Sequence, residues 1–349
     1  MKTYKNIFND IISLENLFLA WDKFKGDKQK KKDVQQFEWK LEENIFQLYG
    51  ELKNNTYKHG AYVSFHIHDP KQRQIHKAVV RDRVLHHAVF NVLNPIFEPT
   101  FISHSFSCRL DKGTHKGVEA MTKKLRQVSR NGFKPCFVLK CDIKKFFETV
   151  DHSKLLRIIR RKIKDKEAMQ LLEQIIGSFS SKYSNIFNQK GLPIGNLTSQ
   201  LFANIYLNGF DQFIKGDLKV KNYIRYTDDF VIISRDRKYL ENLIISIRAY
   251  LSEELYLELH PKKVSIRKFS QGIDFLGYVT MPHHSVLRTK TKRRIFRKLK
   301  KRVDGYLTGA VSKETLEQSI QSYLGTLSHA NTYRVSNELK NQFWFWLKK

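Results

Sequence analysis

The 349-residue chain sets 63 Lys and Arg against 34 Asp and Glu, a formal charge of +29 at pH 7 that points to a polyanionic partner, nucleic acid foremost. Apolar residues at 41% and aromatics at 13% supply a core and argue against a disordered chain. Three cysteines in unrelated contexts (Cys108, Cys136, Cys141) argue against a disulfide frame or a zinc site; a polar-interrupted N-terminus and no run of roughly 18 apolar residues argue against secretion or membrane insertion, so a soluble cytoplasmic protein is expected.

Apolar side chains at helical spacing (Ile7, Phe8, Ile11, Ile12, Leu14) predict a helix over 5–20. An exposed charged connector, "KFKGDKQKKKD", and a second helix over 34–54 follow. Alternation over 60–80 predicts two strands around an Asp69-Pro70 turn. Helices are expected over 82–97 and 114–130, a short apolar strand at 136–142, and a long helical stretch over 152–178. A Gly-Pro-Gly loop at 191–195 leads into a helix over about 196–215, with Asn196 at its N-cap. "YIRYTDDFVIIS" (223–234) reads as a β-hairpin, followed by a helix over 239–255, strands at 263–268 and 273–280, and helices over 289–307 and 312–329. Mixed helices and short antiparallel strands make the expected fold class α+β. The composition breaks near 282–288, after which ten of the fifteen residues 288–302 are Lys or Arg.

Asp228 and Asp229 fall at the hairpin tip, where turn residues leave the sheet. Two like charges this close repel in a basic protein unless a cation sits between them. Hard oxygen ligands favour magnesium, which commonly joins one or two carboxylates to substrate phosphates. Asp142, closing the strand "CFVLKCD", is the candidate third acid of a two-metal site, where ions roughly 4 Å apart stabilise the attacking and leaving oxygens of an in-line phosphoryl displacement. Each feature has an ordinary alternative: Asp-Asp is a common turn dipeptide, and an acid at a strand end can simply cap a helix.

"FVLKCDIKKFFETV", "GLPIGNLTSQLFANIYLN", "RYTDDFVI" and "GIDFLGYV" resemble, in this order, the polymerase blocks of reverse transcriptases. The resemblance runs from about residue 37 to 340 and implies a right-hand polymerase fold. The expected divisions are an N-terminal helical extension (1–58), fingers and palm with an antiparallel sheet (59–283), and a short basic helical thumb (284–349). "IGNLTSQ" stands where most members have a Gln-Gly at its start and Ser-Pro at its end. With "SYLGTLSHANTYRV" near the C-terminus, it resembles the diversity-generating retroelement branch.

That resemblance implies two magnesium ions, with manganese as an alternative, held by Asp142, Asp228, Asp229 and the backbone carbonyl of Ile143. It implies Phe147 as a steric gate against a 2′-hydroxyl, with Phe146 as the core aromatic. Ile194 and Gly195 would lie beside the incoming nucleotide, Ile194 replacing a hydrogen-bonding Gln in keeping with the branch's error-prone copying of template adenines. Lys71 and Arg73 would grip the triphosphate of a dNTP; Arg81 and Arg83 are weaker candidates that could form ion pairs instead. Lys263 would protonate departing pyrophosphate, although Val264 stands where the family has Thr, which leaves Lys262 open as the alternative. Phe275, Leu276 and Gly277 match the primer grip. Arg293, Arg294, Arg297, Lys298 and Lys301, interleaved with Ile295, Phe296 and Leu299, would lie along the phosphates of template RNA and primer or cDNA. Branch members also work with a small basic accessory protein that forms a ring.

The scattered histidines (His66, His68, His86, His87, His283, His284) match no metal-binding spacing. "FWFWLKK" at the C-terminus is apolar all round, suited either to capping the thumb core or to meeting another protein. The reading is an RNA-directed DNA polymerase that copies RNA in mutagenic retrohoming. A related antiviral-defence reverse transcriptase without a retrohoming target is one alternative, and a non-catalytic RNA-binding scaffold is another.

Overall fold

The computed structural model describes residues 2–69 and 72–348. At the N-terminus, α1 (Phe8–Ile12) and α2 (Leu14–Lys25) replace the single expected helix. Ser13 separates them, its hydroxyl accepting from the Asn16 N–H at 3.2 Å to cap α2. α2 then runs into the segment expected to be an exposed connector, because Trp21 and Phe24 bury their rings in the core there. The helix expected over 34–54 breaks at Lys40 into α3 (Lys32–Trp39) and α4 (Leu41–Lys53).

β1 (Val63–Ile67) and β2 (Arg73–Lys77) pair as an antiparallel hairpin that packs little and is mostly exposed. α5 (Val80–Phe97) crosses the core, and α6 (Thr114–Ser129) precedes β3 (Phe137–Asp142). A short α7 (Phe146–Thr149) follows, and the long helical stretch divides into α8 (His152–Arg160) and α9 (Lys166–Gly177). Asp165 makes that break, accepting from the Ala168 N–H (3.0 Å) as the cap of α9 and from the Phe8 N–H (2.9 Å) of α1. α10 (Leu197–Gln212), β4 (Tyr223–Tyr226), β5 (Asp229–Ser234), α11 (Arg237–Leu255) and β6 (Ser265–Lys268) complete the central body.

The central sheet has the order β4-β5-β3-β6, antiparallel throughout. Leu139, Cys141, Phe230 and Ile232 on one face enter the main core with α10 and α11; Val138, Val231 and Ile233 on the other join Met121 and Leu125 of α6. Both faces are covered, which is why the strands read as continuous apolar runs.

A second, three-stranded sheet follows: β7 (Ile273–Phe275), β8 (Tyr278–Thr280) and β9 (Ser285–Leu287). The strand expected over 273–280 thus folds back on itself at Leu276-Gly277, both with positive φ (49° and 94°), the backbone a two-residue hairpin turn requires. The last three helices are α12 (Thr289–Leu307), α13 (Lys313–Leu327) and α14 (Tyr333–Leu347). Ile295, Leu299 and Val303, one row at four-residue spacing, seat α12 on a core that includes Phe343 of α14. Trp344 and Phe345 remain more than half exposed, so the C-terminal aromatics divide between capping the core and facing outward. Among the described residues, no helix is long and apolar enough to cross a membrane.

Candidate active site

The end of β3 and the turn of the β4–β5 hairpin meet at one edge of the central sheet. Asp142 lies directly opposite Asp229, and the next residue, Ile143, donates its N–H to the Asp228 carbonyl at 3.1 Å. That bond makes Asp142 and Asp229 a non-hydrogen-bonded pair, in which Cα atoms sit about 4.5 Å apart and side chains leave the same face. In extended backbone the N–H and C=O of one residue point the same way, so the Ile143 carbonyl is aimed at the hairpin as well.

The turn is a strained one. Thr227, a β-branched residue, adopts φ 53°, a region such side chains rarely enter. Two bonds hold it: its hydroxyl to Ser107 Oγ (2.6 Å), and its carbonyl, which accepts from Arg225 Nη1 (3.1 Å). Arg225 itself is fully buried, paired through Nε (2.7 Å) and Nη2 (2.6 Å) with the equally buried Asp211 of α10. The Tyr223 hydroxyl also donates to Asp211 (2.8 Å). This network, which sequence reasoning missed, is what fixes the height of the acidic turn above the sheet. Its signal was visible: an arginine inside the apolar run "YIRY" needs a buried partner.

Burial pushes the Asp228 carboxyl up to about 6, and the charges of Asp229 and then Asp142 add to the rise; Lys263 opposes it. Lys263 Nζ meanwhile donates to both oxygens of Asp142, at 2.8 and 2.7 Å. Of the two lysines, Lys263 is the one whose Nζ reaches the acids. A cavity of about 310 Å³ opens beside them, lined by Lys140, Asp142, Asp229, Lys263, Arg267 and Arg288, among others. Hard carboxylates close enough for Asp229 and Asp142 to raise the Asp228 pKa are a donor set that a divalent cation relieves, so the residues fit magnesium or manganese chemically. Among the described residues, no three His, Cys, Asp or Glu side chains already converge on one point, and the Lys263 ammonium holds Asp142. A bound ion would take over that carboxylate.

Around the acids the remaining expectations divide. Phe146 is buried, whereas Phe147 is only partly covered and its carbonyl accepts from the Leu192 N–H (2.6 Å), tying the strand-to-helix turn to the glycine loop. That loop is docked on the fingers hairpin: the Ile194 carbonyl accepts from His76 N–H at 3.0 Å. Gly195 has φ 116°, and a Cβ there would lie 2.8 Å from Ile75 Cγ2. Asn196 occupies the N-cap position of α10 but does not cap it with its side chain. Its amide instead accepts from Ala78 N–H (3.3 Å) and donates to the His76 carbonyl (2.9 Å), gluing loop to hairpin.

Arg73 opens β2 with its side chain exposed, while Lys71 lies outside the described residues. Arg81 and Arg83 are committed elsewhere, to Glu51 (2.8 Å) and Asp33 (2.6 Å) of the N-terminal helices. Phe275 is fully buried, so its ring cannot touch a primer; the Leu276-Gly277 turn is what that hairpin presents. Arg293, Arg297, Lys298 and Lys301 line the outward side of α12, with Arg294 partly covered. Two of these cations reach across to the fingers hairpin: Lys298 and Arg297 pair with Asp69 at 3.0 and 3.5 Å.

Residues 65–280 match the family described as reverse transcriptase (RNA-dependent DNA polymerase). Protein YkfC of Escherichia coli (strain K12) is 28% identical over 247 residues, covering 60% of this chain and 63% of its own. The group II intron-encoded protein LtrA of Lactococcus lactis subsp. cremoris is 23% identical over 376 residues, covering 87% of this chain and 58% of its own. The chain thus spans about 60% of the length of these curated relatives. Telomerase from Candida albicans, solved with a fragment of telomeric RNA, superposes with a TM-score of 0.49 at 13% identity over 90% of this chain and 60% of that one. With the family matched across more than half its length, the chain belongs to the reverse transcriptase (RNA-dependent DNA polymerase) family and has its α+β right-hand polymerase fold.

Proposed function

We propose that the protein is an RNA-directed DNA polymerase that extends a 3′-hydroxyl on an RNA template and releases pyrophosphate. The observation that carries this is the pairing of Asp142 with Asp229 across β3 and β5, with Asp228 beside them in a turn held by buried side chains. Asp142, Asp228, Asp229 and the Ile143 carbonyl would hold two magnesium ions, whose chemistry is to stabilise the attacking and leaving oxygens. Arg73 of the fingers would bind the triphosphate. The Ile194-Gly195 loop would lie beside the incoming nucleotide, the missing Cβ of Gly195 making room for Ile75 of the fingers hairpin that it docks on. Lys263, which donates to Asp142, would pass a proton to the leaving pyrophosphate. Primer extension with dNTPs tests the reading against Asp228→Ala: equal activity in variant and parent would end it.

Phe147 supplies a second test. A ring under the sugar leaves no room for a 2′-hydroxyl, so Phe147→Ala should raise the incorporation of ribonucleotides relative to deoxynucleotides by roughly tenfold or more, about 1.4 kcal/mol of lost discrimination. Measured kcat/KM ratios for rNTP and dNTP check it. A parent that already accepts both sugars equally would remove Phe147 as the gate.

At finer grain, "IGNLTSQ" and "SYLGTLSHANTYRV" support the diversity-generating retroelement branch, with error-prone copying of template adenines, retrohoming and a ring-forming basic accessory protein. The branch rests on these residues alone. Sequencing cDNA made from the element's own RNA decides it: substitutions concentrated opposite adenines support the branch, and faithful copying favours the defence-type alternative. Inactivity of the parent in every extension assay would favour the scaffold.

A further inference from the structure

We propose that the crevice between α6 and the thumb is a second binding surface for a phosphodiester backbone, separate from the path along α12. The crevice measures about 940 Å³, and no residue of α12 and none of Asp142, Asp228 and Asp229 lines it. On the palm side its wall is one face of α6. Val118, Met121 and Leu125 seat that helix in the cores, which leaves Lys116, Lys123 and Arg126 exposed along the crevice. Lys116 and Lys123 are two helical turns apart, about 10 Å, so the positive charge forms a row. Such a row suits a polyanion better than a single phosphate. Glu119 is the one acid among the lining residues.

The two walls meet at an imidazole pair. His115 of α6 packs on His329, between α13 and α14, with ring centres 3.6 Å apart. His115 Nε2 is also 3.3 Å from the Tyr278 hydroxyl, which donates to the Thr326 carbonyl at 3.0 Å. Two imidazoles packed at 42° to one another at the end of a row of cations leave the crevice short of negative charge, which a phosphate strand supplies. Lys112 at the mouth is tied to the Ser103 carbonyl (2.9 Å), which holds one cation in place at the entrance of the row.

The inference deepens the polymerase reading and rests on it only for the kind of ligand: nucleic acid reaching beyond the copied hybrid. Its test uses the full chain preloaded with a short RNA–DNA hybrid. A labelled RNA hairpin, or a DNA hairpin of the same sequence, is then titrated by fluorescence anisotropy. The triple variant Lys116→Ala/Lys123→Ala/Arg126→Ala changes exposed helix positions to the best helix former, and a thermal melt confirms that it folds. Its hairpin Kd is expected to rise at least tenfold at low salt. The slope of log K against log salt should become shallower by about 2 to 3, the loss of three phosphate contacts. Extension of the preloaded hybrid should proceed at the parent's rate. Binding of either hairpin in this pattern supports the surface, and their ratio tells whether RNA or DNA is its ligand. Equal affinity in parent and variant would overturn it. So would a variant that loses binding to polyglutamate while keeping the hairpins, since the crevice would then serve an acidic protein. Should Asp228→Ala leave extension intact, the polymerase reading falls while the anisotropy result stands by itself.

Discussion

An Asp228→Asn variant is expected to melt higher than the parent at pH 7.5 while extending primers about 10³-fold more slowly. The gain follows from the raised carboxyl. With its folded pKa at about 6 and its ordinary value at 3.8, Asp228 holds a proton in the folded chain over a range where the unfolded chain has released it. Stability therefore falls as pH rises from about 4 to 6, and the full cost persists above that. Two pKa units correspond to about 3 kcal/mol, an upper figure for a carboxyl that keeps some contact with water. Asparagine has the same shape and no charge to desolvate, so in chelator the melting gap should be a few degrees at pH 7.5 and vanish near pH 4. Saturating magnesium should narrow the gap at pH 7.5, because an ion bound only by the folded parent stabilises it. The loss of rate reflects several kcal/mol of charge stabilisation withdrawn from the transition state. Equal melting shifts at pH 4 and 7.5 would show that Asp228 carries no such burden.

Asp211→Ala should cost 3–5 kcal/mol of unfolding free energy, about the largest effect expected of any single change outside the acids. It leaves the Arg225 guanidinium in the core without its carboxylate, and removes the acceptor of the Tyr223 hydroxyl. Denaturant titration would show the loss as a lower midpoint. Arg225 also donates to the Thr227 carbonyl, so extension should decline even at temperatures where the variant stays folded. The double change Arg225→Met/Asp211→Leu separates the two roles. An apolar pair of similar volume is expected to restore most of the stability without restoring the turn or the rate. A double variant as unstable as Asp211→Ala would mean that the core needs the hydrogen bonds of the ion pair and not merely its volume.

The acids and the hairpin were legible in the sequence because their chemistry is local: two carboxylates at a turn between apolar strands admit few arrangements. What stayed hidden depended on contacts distant along the chain. The connector after α2 reads as solvated from its lysines, yet Phe24 is drawn into the core, and the helix continues to Lys25. The break between α8 and α9 is invisible in the apolar pattern because Asp165 serves two helices at once, one of them 157 residues away. Asn196 looks like a cap by type and position, but the fingers hairpin offers its amide two better partners. Phe275 was placed at the primer by motif; the alternation of its short strand sends it inward instead.

The pairing of Asp69 with Lys298 and Arg297 has a topological effect. On the proposed reading, fingertip and thumb would close over the path of the nucleic acid, so that a threaded strand could not slip off sideways while the clasp holds. Exposed ion pairs contribute at most about 1 kcal/mol, and the two thumb cations are ones a phosphate would also claim. On the proposed reading, loading a hybrid would open the clasp by competition at little cost, the grip passing from a carboxylate to the nucleic acid itself.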